Sequence, residues 1–91
     1  EYVLEQNYPN PFNPITTINY LIPYYDFVAI SIINIKGQNI KKLIQGVHLP
    51  GQYTIQWDGT NNFGNQVPAG IYFYKMDATE FNDIKKLILL K

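Results

Sequence analysis

The chain has no cysteine and no arginine, a single histidine (His48) and a single serine (Ser31). Without cysteine there is no thiolate zinc site, no iron–sulfur cluster, no disulfide and no thiol catalysis. His48 alone cannot supply a pair of imidazole metal ligands. All cationic side chains are lysine, and seven Lys balance seven Asp and Glu to a net charge of zero. A nucleic-acid module normally carries an excess of positive charge for the phosphates, so none is expected. The same balance argues against a polybasic membrane surface. No apolar run approaches the ~18 residues of a membrane span. Helix formers are scarce, with three Ala and seven Leu.

What is present points to β-structure. Thirteen Ile, eight Tyr and five Phe dominate, and six Pro and six Gly divide them into short segments. A chain of 91 residues suits one domain, and a domain this size buries roughly 60–65% of its unfolded surface. It opens at Glu1 without a start Met, signal peptide or tag, which reads as a processed product or a fragment of something longer.

Residues 1–14 read as an extended lead-in. Pro9, Pro11 and Pro14 stiffen it, and neighbouring asparagines can close Asx turns. Residues 15–91 read as the sandwich proper. Alternation predicts strands at 15–22, with Ile18, Tyr20 and Ile22 on one face, and at 28–35, with Val28, Ile30 and Ile32 inward. Further strands are expected at 39–44, 51–57, 71–79 and 84–90. Residues 24–27, 36–38, 45–50, 58–70 and 81–83 read as turns or loops. Six or seven strands at this spacing predict an all-β, immunoglobulin-like antiparallel sandwich.

The motifs carry a resemblance. Asn7-Tyr8-Pro9-Asn10-Pro11-Phe12-Asn13-Pro14 is followed by Thr17-Ile18-Asn19-Tyr20 and by Val28-x-Ile30-x-Ile32-x-Asn34-Ile35-x-Gly37-Gln38. Gly51-x-Tyr53, Trp57-Asp58-Gly59, Gly64 and Ala69-Gly70-Ile71-Tyr72-Phe73-Tyr74 come next. Lys85-Lys86-Leu87-Ile88-Leu89-Leu90-Lys91 closes the chain. In this order the set resembles the C-terminal sorting domain of the type IX secretion system (the Por secretion system type A sorting domain). The stretch from Trp57 to Tyr74 is also similar to the Ig-like domain of the flagellar hook-capping protein.

The resemblance implies a non-catalytic domain at the C-terminus of a cargo protein in Bacteroidetes-type bacteria. The cargo would cross the periplasm, be recognised by an outer-membrane translocon and reach the cell surface or the medium. A sortase-like peptidase usually cuts upstream of such a domain. The resemblance makes Lys85, Lys86 and Leu87–Lys91 a docking tail. The family's usual basic pair includes Arg, and here both residues are Lys, which keeps the charge and loses the bidentate contact.

Each motif also has a plainer reading. Asn10, Pro11, Phe12, Asn13 and Pro14 form either a stiff recognition element or a plug with Phe12 at one end of the sandwich. Asp58, Asn61 and Asn62 are weak calcium candidates, because Asp58 is the only carboxylate of its loop. The plainer role is to satisfy backbone donors, with Gly59 and Gly64 at positive φ. Tyr72, Phe73 and Tyr74 read as core packing rather than a sugar platform, since alternation splits them between two faces. The lysines of residues 85–91 also fit a guarded edge strand. No acid forms a catalytic motif with His48 or Ser31, and no cofactor is expected. An alternative to the sorting role is a structural subunit of an extracellular filament or surface assembly. There the lead-in or the last strand would add to the sheet edge of another copy.

Overall fold

The computed structural model describes residues 1–90. Seven strands follow in order: β1 (Val3–Leu4), β2 (Thr16–Ile22), β3 (Asp26–Ile33), β4 (Asn39–His48), β5 (Gly51–Trp57), β6 (Gly70–Ala78) and β7 (Phe81–Leu89). They form two antiparallel sheets, β1-β2-β5 and β4-β3-β6-β7. This is the expected all-β, immunoglobulin-like sandwich of seven strands in a single domain.

Alternation builds the core. Ile18, Tyr20 and Ile22 of β2 face Val28, Ile30 and Ile32 of β3 and Tyr72, Tyr74 and Met76 of β6, and all of them are buried. Trp57 closes the bottom of this core at 1% exposure. The residues between them, polar Thr17, Asn19, Ser31 and Lys75 and apolar Leu21, Ala29 and Phe73, point outward and are half-buried or exposed.

Several boundaries differ from the sequence expectation, each for a local reason. Residues 45–50 read as a loop, but β4 continues to His48, with Val47 opposite Phe27 and His48 opposite Asp26. A bulge between the partners of Ile30 and Ser31 leaves Leu43 unpaired and shifts the alternation, which hides the strand. Residues 81–83 read as a turn, but the turn is Thr79-Glu80 and Phe81 already pairs with Ala78. Strand β3 runs from Asp26 to Ile33 rather than from 28 to 35. It ends where Asn34 folds its side chain onto the N–H groups of Lys36 and Gln38. Strand β1 is two residues long, too short for any periodicity.

Candidate functional site

The proline-rich lead-in is bound to the body of the domain. The Tyr8-Pro9, Asn10-Pro11 and Asn13-Pro14 bonds are all cis. Tyr8 exchanges backbone hydrogen bonds with Thr17, each 2.9 Å. Asn7 is buried; its side-chain amide donates to Thr16 Oγ1 at 2.8 Å. The phenol of Tyr74 reaches the lead-in from β6. It accepts from the Asn7 N–H at 2.8 Å and donates to the Glu5 carbonyl at 2.6 Å. Burial pushes this phenol up to about 12.

The segment Asn10–Pro14 then lies along the free edge of β7. The Phe12 N–H donates to the Ile88 carbonyl, and the Leu90 N–H donates to the Phe12 carbonyl, both at 2.9 Å. Asn10 Oδ1 accepts from the Ile88 N–H at 3.0 Å, and Gln6 donates to the Lys86 carbonyl at 2.8 Å. The Phe12 ring is fully buried and lies 5.6 Å from the Trp57 ring. Trp57 in turn meets Tyr72 edge-on at 5.4 Å. Asn10, Pro11, Asn13 and Pro14 stay exposed. Phe12 therefore plugs the sandwich, while its neighbours in the motif stay at the surface.

The C-terminal segment divides by alternation. Leu87 and Leu89 point into the core, at 0% and 4% exposure. Lys86 and Leu90 face solvent, and Lys85 sits half-buried 3.9 Å from Asp83. Lys91 lies outside the described residues. The backbone and Asn10 bonds set the exposed residues Asn10, Pro11, Asn13 and Pro14 beside the strand that carries the exposed Lys86 and Leu90. That juxtaposition is invisible in the sequence, where the two segments are separated by most of the chain.

The loop after β5 is a small closed structure. Trp57 Nε1 donates to the Thr60 carbonyl at 2.8 Å. Asp58 Oδ1 accepts from the Thr60 hydroxyl at 2.6 Å and from its N–H at 3.2 Å. The hydroxyl bond is the main reason the Asp58 carboxyl is held below its ordinary range. Asn61 Oδ1 accepts from the N–H groups of Phe63 and Asn65, and Asn62 Oδ1 from that of Lys42. The three oxygens weighed for calcium are thus turned onto backbone and hydroxyl donors. Lys41 Nζ also lies 3.1 Å from Thr60 Oγ1, so a cation of the chain itself faces this loop. Gly59 takes φ +80° beneath Leu89, and Gly64 takes φ +83°. Gly70 opens β6 opposite Leu89, and the Tyr72 hydroxyl donates to the Pro68 carbonyl at 2.7 Å.

Elsewhere the buried polar side chains among the described residues find partners within the chain. His48 Nδ1 faces the Gly46 carbonyl at 3.0 Å, which can only accept, so this nitrogen carries the proton. Nε2 then accepts from the Tyr20 hydroxyl at 2.8 Å. Among the described residues no three His, Asp or Glu side chains converge, and no helix is long and apolar enough to cross a membrane.

Two stacked antiparallel sheets with this strand order define an immunoglobulin-like domain. The chain belongs to the FlgD Ig-like domain family, whose model matches residues 16–81. No curated protein matches the chain. Among solved structures it is similar to the dimeric latent form of PorU from Porphyromonas gingivalis. The TM-score is 0.77 at 19% identity, over 99% of this chain and 9% of PorU. That likeness is one of fold, and the chain spans only a small part of PorU's length.

Proposed function

We propose that this chain is a non-catalytic sorting domain, a folded signal that directs a cargo protein across the outer membrane through the type IX secretion system. The observation that carries the reading is the bridge of Phe12 to Leu89. It joins the opening and closing motifs of the sorting-domain resemblance into a single exposed corner. A receptor reading that corner recognises Asn10, Pro11, Asn13, Lys86 and Leu90 only when the sandwich is folded. PorU, itself a protein of type IX secretion, contains a stretch of this fold, which is in keeping with the reading. The partners are then the outer-membrane translocon and a sortase-like peptidase. The route runs through the periplasm to the surface or the medium. Strand donation in a filament has less support, because the lead-in and β7 are both already bonded within their own sandwich.

The test is an export assay. Residues 1–91 are fused behind a signal peptide and a fluorescent reporter, in a host with type IX machinery and in its translocon knockout. Reporter outside the first host and periplasmic in the second is the expected result. Reporter retained in both overturns the proposal.

A further inference from the structure

The sandwich protects its strand edges unequally. On β7, Gln6, Asn10 and Phe12 cover residues 86–90, and the Asp83 carboxylate takes the Ile84 N–H at 2.8 Å. On β4, Asn62 donates to the Ile40 carbonyl and accepts from the Lys42 N–H, each at 3.0 Å. Both strands also carry lysines, a common guard against edge-to-edge pairing. Strand β1 is only two residues long.

Strand β5 has none of these devices. It ends the three-stranded sheet, and Gly51–Trp57 contains no charge and no proline. On β2, Thr17 and Asn19 direct their backbone groups toward the lead-in and β1. Thr16, Ile18, Tyr20 and Ile22 therefore bond to β5, at Trp57, Ile55, Tyr53 and Gly51. This leaves the N–H and C=O groups of Gln52, Thr54 and Gln56 pointing away from the sheet, without a partner among the described residues. Behind them, Tyr53 and Ile55 face the core side and yet remain half-exposed, as do Leu43 and Ile44 of β4.

We propose that the β5 edge is a self-association surface, filled by β5 of a second copy in an antiparallel, two-fold arrangement centred on Thr54. At a two-fold axis each residue meets its own kind or its mirror position, so a charged strand would repel itself. The edge of β5 is uncharged throughout. Centred on Thr54, the outward groups of Thr54 meet those of the other Thr54, and Gln52 meets Gln56. Every exposed donor on the strand then finds an acceptor. The same register sets Tyr53 opposite Ile55 on the core face, an aromatic against a β-branched side chain, and covers the open seam. The result is a closed dimer with a continuous six-stranded sheet, not a filament.

Sedimentation velocity on residues 1–91 tests this, with Thr54→Lys and Thr54→Glu. Thr54 points into solvent and bonds only Asn19 by its side chain, at 2.7 Å, so both variants keep the fold, checked by circular dichroism. The wild type is expected to dimerise reversibly at concentrations up to about 1 mM, where weak contacts are populated. Each variant alone is expected to be monomeric, and an equimolar mixture of the two to recover the dimer. A wild type that stays monomeric overturns the proposal, and is the result expected if the edge instead takes an extended segment of a different protein. A dimer indifferent to Thr54→Lys, or a mixture that stays monomeric, overturns it as well.

Discussion

Phe12 and Leu89 form a parallel bridge that ties the start of the chain to its end. The backbone bonds hold the proline-rich segment on the β7 edge, and the Phe12 ring completes the core against Trp57. The lead-in is thus a stabilising part of the sandwich. Phe12→Ala is expected to lose about 3–5 kcal/mol, as for other fully buried aromatics. Chemical denaturation measures this, and an unchanged midpoint would show that the ring contributes nothing to the core.

The same corner separates a signal from the scaffold that carries it. Deleting residues 87–91 removes Leu87 and Leu89 from the core, so that deletion is expected to abolish folding together with export. Lys86 and Leu90 are exposed, and Lys86→Glu with Leu90→Glu is expected to cut export while leaving the melting temperature within a few degrees of the wild type. Leu87→Ala is expected to lower stability by about 2–5 kcal/mol. Reporter export and thermal melts on the same proteins separate the two effects. Normal export by the double-glutamate variant would remove these side chains from the recognition surface.

The alternation of Ile18, Tyr20 and Ile22, or of Tyr72, Tyr74 and Met76, could be read directly because central strands bury one whole face. Edge strands carry a weaker form of this signal. Alternation puts Tyr53 and Ile55 on one face of their strand, but it does not show that both stay half-exposed beside an open edge. The bulge at Leu43 broke the two-residue period that would have extended β4 to His48. Phe12 could be suspected as a plug. Its bridge to Leu89 could not be found, since no local rule connects residues at opposite ends of a chain. The pattern around Tyr74 marks a core aromatic, and nothing in its neighbours shows that its hydroxyl reaches Glu5 and Asn7.

That hydroxyl makes a specific prediction. Tyr74→Phe keeps the buried ring but leaves the Asn7 N–H and the Glu5 carbonyl without their partner. Buried groups left unpaired cost about 1–3 kcal/mol, more than the net worth of one ordinary hydrogen bond. The loss is expected to be local as well as global. Amide exchange should quicken at Asn7 before it quickens at Ile30 in the core. Uniform exchange across the two sites would argue that Tyr74 does not anchor the lead-in.

Asp26 gives the domain a pH response at both ends of the scale. Its carboxylate accepts from the Thr79 hydroxyl and N–H, from the Tyr2 hydroxyl and from the Phe27 N–H. The Thr79 hydroxyl, followed by that of Tyr2, lowers the carboxyl from 3.8 to about 2. A carboxyl lowered on folding stabilises the folded state above its ordinary pKa, and this stability is lost as pH falls from about 4 toward 2. Tyr2 behaves in the opposite sense. Its bond to Asp26 raises the phenol from 10 to about 12, so that contribution holds below pH 10 and disappears as pH rises toward 12. Asp26→Asn should therefore flatten the stability profile in both windows and lower stability at neutral pH. Tyr2→Phe should flatten the alkaline window, and leave most of the acid one because the Thr79 bonds remain. Urea midpoints across the pH range decide the matter: an acid limb equally steep in Asp26→Asn would assign it to other carboxylates.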